Sequence, residues 1–247
     1  MIIYFEKIWW AILLLAVISY LIGNINFAVI ISKIKKQDIR KIGSGNPGTL
    51  NMSRNFGLKI GVLNLALDIF KGVIPTLLGF LIFNDKYFYS YDIPAWIFVE
   101  VLCGFCAVLG HVFPVFMKFK GGKGVATTIG VFFVCNWYVA LVSGILAIVF
   151  IMLTEIGSMG SFVATTPGAF ITCYQVYYYY LKSSYLGLEN IIIASITNLI
   201  LVMIIFIVWF AHRKNISRLI SGDEHPTNWL QMLKESIIKN KAKKLNK

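Results

Sequence analysis

The chain has 247 residues, of which 58% are hydrophobic, and it carries a formal net charge of +12 at pH 7. Its mean hydropathy of +0.75 exceeds what a soluble core of this size requires, which excludes a soluble enzyme or binding domain. Long apolar runs recur along the chain in place of the short alternating segments of an outer-membrane barrel, so the sequence predicts an all-α, polytopic transmembrane helical bundle.

Seven apolar segments are predicted to cross the membrane. No small-residue cleavage site follows the charged residues near the N-terminus, so the first segment is expected to stay in the mature protein. Glycine and serine at 157–161 favour a break between the fifth and sixth spans, and the stretch 136–144 favours the turn before it. The predicted spans are 8–31, 57–83, 94–117, 124–141, 142–158, 161–181 and 190–211.

The positive charges predict how these spans are oriented. With seven spans and the N-terminus outside, only Lys7, Lys86 and Lys182 of the 23 Lys and Arg residues lie on the outer side. Because basic flanks stay in the cytoplasm, we expect an outer N-terminus, a transmembrane domain over 1–224 and a basic cytoplasmic tail over 225–247. The net charge then indicates attraction to anionic lipid, and not binding of nucleic acid.

The first of three polar clusters, 43–54, follows the first span. Its Gly, Ser, Asn and Pro residues are typical of a connecting loop. The same residues also suit the rim of a binding pocket, in which Ser44, Asn46 and Asn51 supply hydrogen bonds and Arg54 supplies a fork for phosphate. This cluster by itself does not decide between the two interpretations.

In chain order, the buried charges of the second predicted span come next. Asp68 and Lys71 lie one helical turn apart, near its inner half. Ionisable residues inside a membrane are costly and are usually paired or functional. We predict that Asp68 is a structural partner of a basic residue.

The second cluster, 110–124, combines three lysines with glycines between the third and fourth spans. Glycine lets backbone N–H groups turn toward an anion, and lysine adds charge, so the pattern favours phosphate. It is not a nucleotide-binding P-loop, because Gly124 follows Lys123 and Met117 replaces the required upstream glycine. A basic anchor would explain the lysines but not the glycines.

The third cluster, 211–224, follows the seventh span. If it is helical, His212 and Asn215 share one face, with Arg218 beyond them. A basic flank after a span would look much the same. The predicted orientation, however, puts all three clusters at one membrane face, where the helix ends can bring them together.

These side chains favour oxyanion chemistry. Lys, Arg, Asn, Ser, His and backbone amides bind oxyanions and stabilise developing negative charge, and no zinc-spaced Cys/His set points to a metal. The His-x-x-x-x-Asp motif of the common glycerolipid acyltransferases does not occur, because Phe116, Ser217 and Leu230 stand fifth after the three histidines.

Together the clusters resemble the signature regions of the bacterial acyl-phosphate:glycerol-3-phosphate acyltransferase family. The resemblance covers about a quarter of the chain. Departures from the family pattern are Leu50, where a hydroxyl is usual, and Glu155, where a basic residue is usual. The matching segments are Gly43–Gly57, Asp68–Gly72 with Pro75, Gly110–Thr127 and His212–Glu224.

The resemblance implies a seven-span enzyme of the bacterial plasma membrane whose active site faces the cytoplasm and the inner leaflet. Such an enzyme transfers an acyl chain from acyl phosphate to the sn-1 hydroxyl of glycerol 3-phosphate. The products are lysophosphatidic acid and inorganic phosphate, and the reaction is the first step of phospholipid synthesis. No cofactor and no metal is implied, and the expected partners are the two substrates and membrane lipid.

The resemblance also implies roles for individual residues. Lys123, with Gly121 and Gly122, would hold phosphate and steady the charge on the attacked carbonyl. His212 and Asn215 would position the hydroxyl of glycerol 3-phosphate. Ser158 would line the pocket as a further catalytic candidate, and the other implied binding residues are Arg218, Ser44, Asn46, Asn51 and Arg54.

Two questions stay open at this point. The hydroxyl proton goes either to His212 or to the phosphate of the donor, and the scarcity of carboxylates favours the phosphate, with His212 mainly orienting. An organic-phosphate transporter is the main alternative function. It predicts polar residues that continue to the outer face, and no outer polar cluster is apparent in the sequence.

Overall fold

The structure is a computed structural model that describes residues 2–3, 5–88, 94–181, 187–224, 226–227, 231, 234 and 237–238. The predicted tail therefore lies largely outside the described residues, as do parts of the two segments expected to form short outer loops, 84–93 and 182–189. Short strands β1 (Ile2–Ile3) and β2 (Tyr87–Phe88) pair in parallel. The α-helices are α1 (Phe5–Asn24), α2 (Phe27–Ile34), α3 (Thr49–Phe56), α4 (Leu58–Phe83), α5 (Ala95–Val112), α6 (Val125–Cys135), α7 (Trp137–Thr154), α8 (Gly157–Leu181), α9 (Leu188–Ala211) and α10 (Arg213–Ser221).

The prediction of a helical membrane protein is confirmed. Within the described residues, five helical segments are long and apolar enough to cross a membrane. Large apolar side chains such as Leu14, Leu146 and Phe206 point outward, as lipid-facing residues do. The five segments are Lys7–Ile34, Leu58–Phe83, Ala95–Met117, Trp137–Thr154 and Leu188–Ala211.

Helix α5 lies at the centre of the bundle, where it packs against α1, α4, α6 and α9. Glycines set the closest helix contacts. A Cβ atom on Gly110 would lie 2.2 Å from the carbonyl oxygen of Tyr20 in α1, and one on Gly72 would lie 2.1 Å from that of Thr127 in α6. Backbones touch at both positions, as is usual between membrane helices, so larger residues would push these helices apart.

The first predicted span, 8–31, is not one continuous helix. Asn26 separates α1 from α2. Its side-chain oxygen accepts a hydrogen bond from the N–H of Val29 (3.0 Å), so Asn26 caps the N-terminus of a new helix, α2. The carbonyl of Ile25 at the break accepts a hydrogen bond from Lys71 Nζ at 2.8 Å. Lys71 also pairs with Asp68 at 2.9 Å, which confirms the predicted partnership.

Two predicted boundaries were wrong. The fourth and fifth spans separate at Asn136, the first residue of the predicted turn stretch 136–144, and not at the predicted span bounds 141 and 142. Buried Asn136 leaves the helix (φ −162°), and its amide nitrogen donates to the side-chain oxygen of Gln175, 2.7 Å away. The next break falls at Glu155, which adopts a left-handed conformation with φ 57°. Gly157 and Gly160 therefore lie inside α8, where Gly160 allows close contact with Ile151 of α7.

The helix order brings six helix ends to one end of the bundle. The beginning of α4, the end of α5, the beginning of α6, the α7–α8 turn and the end of α9 all lie there. The three polar clusters are attached to these ends, so the fold assembles them as the sequence predicted.

Candidate active site

The Lys-Gly loop begins where α5 ends and is closed by its own backbone. The N–H of Gly121 donates to the carbonyl of Val112 (3.1 Å), and the N–H of Gly122 donates to that of His111 (3.2 Å). These two amides, predicted to hold phosphate, are therefore already occupied. Helix α6 begins directly after the loop, so its N-terminal amides lie beside Lys123.

Lys123 connects the second cluster to the third. Its Nζ donates a 2.5 Å hydrogen bond to Oδ1 of Asn215 in α10. The amide of Asn215 in turn donates to Oε1 of Glu224 at 2.8 Å. Arg218 Nε meets the other carboxylate oxygen of Glu224 at 3.2 Å. Lys123, Asn215, Glu224 and Arg218 are therefore linked by consecutive hydrogen bonds, and these bonds fix the position of the Lys123 side chain.

Lys123 lies in an environment with an excess of positive charge. Burial lowers the pKa of its ammonium to about 8; Arg218 and Arg54 add to the shift, and Glu224 opposes it. Two guanidinium groups thus act on the Lys123 ammonium over a short range. Such a cluster gains stability when an anion joins it, which is the electrostatic condition for binding phosphate.

His212 follows α9 and is only 1% exposed. Its Nδ1 lies 2.8 Å from the carbonyl oxygen of Val208, and since a carbonyl only accepts, this contact assigns the proton to Nδ1. Burial, assisted by the charge of Lys123, lowers the pKa of His212 to about 4. The imidazole is therefore neutral at pH 7, with Nε2 as a hydrogen-bond acceptor but a weak base.

Glu224 is the site residue whose role was not predicted. Gly222 adopts a left-handed conformation (φ 79°) after α10, and the N–H of Asp223 then donates to the carbonyl of Arg218 (2.8 Å), so the chain turns back. Although partial burial acts in the opposite direction, Asn215, Ser158 and Arg218 lower the pKa of the Glu224 carboxyl. The available signal was an acidic residue two positions after a helix-ending glycine.

Ser158 and Arg54 complete the contacts around this cluster. Ser158, at the beginning of α8, is 5% exposed and lies close enough to lower the pKa of Glu224, although its hydroxyl makes no hydrogen bond among the described residues. Arg54, at the end of α3, donates from Nη2 to the carbonyl of Pro226 at 2.9 Å. The N–H of Thr227 donates to the carbonyl of Glu155 at 2.9 Å. The first cluster therefore meets the third through the segment after α10.

The pocket was predicted to be framed by Ser44, Asn46 and Asn51. In the structure, however, the Asn51 side chain bonds to the backbone of its own loop. Asn51 is 2% exposed, and its Oδ1 accepts from the N–H of Ser44 at 3.1 Å. Its amide nitrogen donates to the carbonyls of Ile42 (3.2 Å) and Asn46 (3.1 Å). Its polar atoms thus hold its own loop together, and the loop presents Ser44 to solvent.

The two departures from the family pattern have local explanations. Leu50 packs against the beginning of α8, with its Cδ1 2.9 Å from where a Cβ on Gly157 would lie. Glu155 contributes its backbone, as the left-handed end of α7 and as the acceptor of Thr227. Neither position adds a polar side chain to the cluster around Lys123.

The arrangement offers cations, a neutral imidazole, an amide and a hydroxyl around one carboxylate. Among the described residues, no group of three His, Cys, Asp or Glu side chains is placed to hold a metal ion. The arrangement can bind phosphate groups and stabilise negative charge as it develops on an oxygen.

Comparison with known proteins agrees with this chemistry. A sequence model of the family "Glycerol-3-phosphate acyltransferase" matches residues 13–222. The glycerol-3-phosphate acyltransferase of Mycoplasmopsis pulmonis is 35% identical over 211 residues, covering 85% of this chain and 91% of the relative. That of Aquifex aeolicus is 36% identical over 216 residues, covering 86% and 97%. That of Shouchella clausii is 38% identical over 210 residues, covering 84% and 91%.

Solved structures are similar as well. The glycerol 3-phosphate form of PlsY, an integral membrane glycerol 3-phosphate acyltransferase, is 33% identical with a TM-score of 0.69, covering 90% of this chain and 98% of PlsY. Its lysophosphatidic acid form is 32% identical with the same TM-score of 0.69 and the same coverage. With sequence and fold alike over nearly its whole length, this membrane protein belongs to the glycerol-3-phosphate acyltransferase family.

Proposed function

We propose that this glycerol-3-phosphate acyltransferase takes its acyl chain from an acyl phosphate and transfers it to the sn-1 hydroxyl of glycerol 3-phosphate. The cations around the site carry this choice of donor, because Arg218 and Arg54 both act on the ammonium of Lys123 there. The donor brings a phosphate bonded to the attacked carbonyl carbon, the acceptor brings a second phosphate at its sn-3 carbon, and two phosphates are matched by several cations. An acyl thioester has no phosphate at its carbonyl carbon.

Lys123 and the N-terminus of α6 bind the donor phosphate and stabilise the negative charge that develops on the attacked carbonyl oxygen. Arg218 and Arg54 bind the phosphate of glycerol 3-phosphate. Glu224 keeps Asn215 and Arg218 in position through its two oxygens. Ser158 lines the pocket beside them.

The hydroxyl oxygen attacks the carbonyl carbon, and the bond between that carbon and the phosphate oxygen breaks. A pKa of about 4 makes His212 a poor base, so its Nε2 accepts a hydrogen bond from the hydroxyl and orients it. The proton passes to the departing phosphate, whose second pKa lies close to neutrality. Because phosphate leaves readily, the reaction requires no covalent acyl-enzyme.

The protein crosses the bacterial plasma membrane seven times, with α6 and α8 added to the five long apolar segments. The site faces the cytoplasm and the inner leaflet, and the N-terminus lies outside. The domain over 1–224 carries the activity, and 225–247 form a tail that attracts anionic lipid. Basic residues at the site end support this orientation, among them Lys33, Lys35, Lys36, Arg40, Lys41, Lys59, Lys118, Lys120, Arg213 and Lys214.

The first test supplies palmitoyl phosphate and glycerol 3-phosphate to purified protein without added metal. Equal amounts of inorganic phosphate and lysophosphatidic acid are expected, and Lys123→Ala should abolish both. Product from acyl-coenzyme A but not from acyl phosphate would refute the proposed donor. If folded protein forms no product from either donor but moves glycerol 3-phosphate across vesicles, the transporter alternative is correct.

The pKa of Lys123 gives this activity a pH dependence. Only the protonated amine stabilises negative charge, so kcat/KM is expected to fall about tenfold per pH unit above a pH of about 8. The profile should be flat just below that pH. In Lys123→Arg the guanidinium stays protonated, so whatever activity remains should lose this alkaline decline. An identical decline in the arginine variant would show that another group titrates.

A further inference from the structure

The side chain of His111 lies beneath the Lys-Gly loop, outside the set of residues that touch substrate in the proposed reaction. It is 5% exposed at the end of α5. Its Nδ1 lies 3.2 Å from the hydroxyl oxygen of Thr127 in α6 and 3.8 Å from a carboxylate oxygen of Asp68 in α4. Two neighbouring helices therefore hold one side of the ring.

The other side of the ring faces the loop. A Cβ atom on Gly122 would lie 2.2 Å from Nε2 of His111, 3.0 Å from Cε1 and 3.1 Å from Cδ2. The three nearest atoms all belong to the imidazole, so the ring occupies the space that a side chain at 122 would need. The carbonyl of His111 also accepts the N–H of Gly122. Residue 111 thus contacts Gly122 through both its ring and its backbone.

The support beneath the ring is rigid. Asp68 accepts a 3.0 Å hydrogen bond from Asn64 and pairs with Lys71. Lys71 in turn donates to the carbonyl of Ile25 at the α1–α2 break. This buried network joins the first span, α4, α5 and α6 directly below the loop. Its Asp68–Lys71 pair is held from both sides, and such buried polar contacts favour one arrangement of their members.

We propose that His111 is a positioning residue whose imidazole is the surface on which Gly122 rests, and that it thereby sets where Lys123 and the beginning of α6 meet the substrate. The inference rests on the proposed function for its consequence in catalysis, because Lys123 acts there on the donor phosphate. A displacement of about 1 Å at a reacting centre reduces rates on the order of 100-fold.

Reciprocal substitution tests the contact. Gly122→Ala places a methyl group against the ring, so kcat is expected to fall roughly 100-fold and the unfolding temperature in detergent to drop. His111→Ala alone also lowers both, because the loop loses its support. The double variant should regain at least about tenfold over Gly122→Ala, since the new methyl occupies part of the space left by the ring.

Gly121 provides the matched control. A Cβ there would lie 2.1 Å from the backbone carbonyl oxygen of His111, which no substitution at 111 removes. Gly121→Ala should therefore lower kcat and the unfolding temperature both in the wild-type background and in the His111→Ala background. If His111→Ala rescues neither glycine variant in activity or unfolding temperature, or rescues both equally, the proposal is wrong.

Hydroxyl removal tests the support of the ring independently. Thr127→Val deletes the hydrogen bond to Nδ1 and is expected to lower kcat with little change in KM, and Thr127→Ser should restore it. Thr128, also fully buried in α6, has no hydrogen-bond partner for its hydroxyl among the described residues, so Thr128→Val should change neither constant. Equal losses in Thr127→Val and Thr128→Val would contradict the proposal. An inactive wild-type protein would instead refute the proposed function, while rescue of the unfolding temperature could still be measured.

Discussion

Replacing Lys123 by methionine is expected to reduce kcat by roughly 10²- to 10³-fold, the usual effect of removing one group that stabilises a developing oxyanion. Methionine keeps much of the length of the side chain and removes its charge. The ammonium is buried, bound to Asn215 at 2.5 Å, and lies within the influence of Arg54 and Arg218. Steady-state kinetics with acyl phosphate and glycerol 3-phosphate measures the loss.

Lys214→Met is the control for the charge change. Lys214 is exposed next to Asn215 in α10, so removing its charge should leave kcat within about twofold, because charges in water are screened. A similar loss in both variants would mean that Lys123 acts only through the general positive field. A Lys123→Met enzyme with normal kcat and a raised KM would assign this residue to ground-state binding alone.

Replacing Asp68 by asparagine is expected to lower the free energy of unfolding by about 3–5 kcal/mol, because it leaves Lys71 as an unpaired buried charge. The side chains of Lys71 and Asp68 are only 2% and 4% exposed and lie 2.9 Å apart. Because both side chains are almost fully shielded from solvent, water cannot easily replace the lost partner. Unfolding in mixed detergent micelles, followed by circular dichroism, measures the change.

The double variant Asp68→Asn with Lys71→Met separates charge from shape. Removing both charges should recover most of the lost stability, as in other buried ion pairs. Recovery should stay incomplete, because Lys71 also satisfies the carbonyl of Ile25 at the break in the first span. If the double variant is less stable than Asp68→Asn, the hydrogen bond to Ile25, and not the ion pair, is the main contribution of Lys71.

Residue patterns predicted which segments form the site, but not the contacts of every side chain in it. Lys123, Asn215 and Arg218 were predicted to meet, and they do, because charged and glycine-rich segments cannot enter lipid and must collect at helix ends. Asn51 was predicted to face the pocket, yet it holds its own loop. A side-chain amide suits both tasks equally well, so its type does not indicate which way it points.

Long apolar runs and their charged flanks were sufficient to predict a helical membrane protein, since hydrocarbon admits only backbones that satisfy their own hydrogen bonds. The family motifs were likewise local, because each is a short segment attached to one helix end. The break at Ile25, and the exact position of the turn at Asn136 within the predicted stretch 136–144, were beyond such reasoning. Each depends on a polar partner distant in the chain, Lys71 for one and Gln175 for the other, 46 and 39 residues away. A polar group inside a membrane can end a helix only where the packed bundle supplies it with a hydrogen-bond partner. Such a partner comes from another helix, so only the tertiary structure determines where these breaks occur.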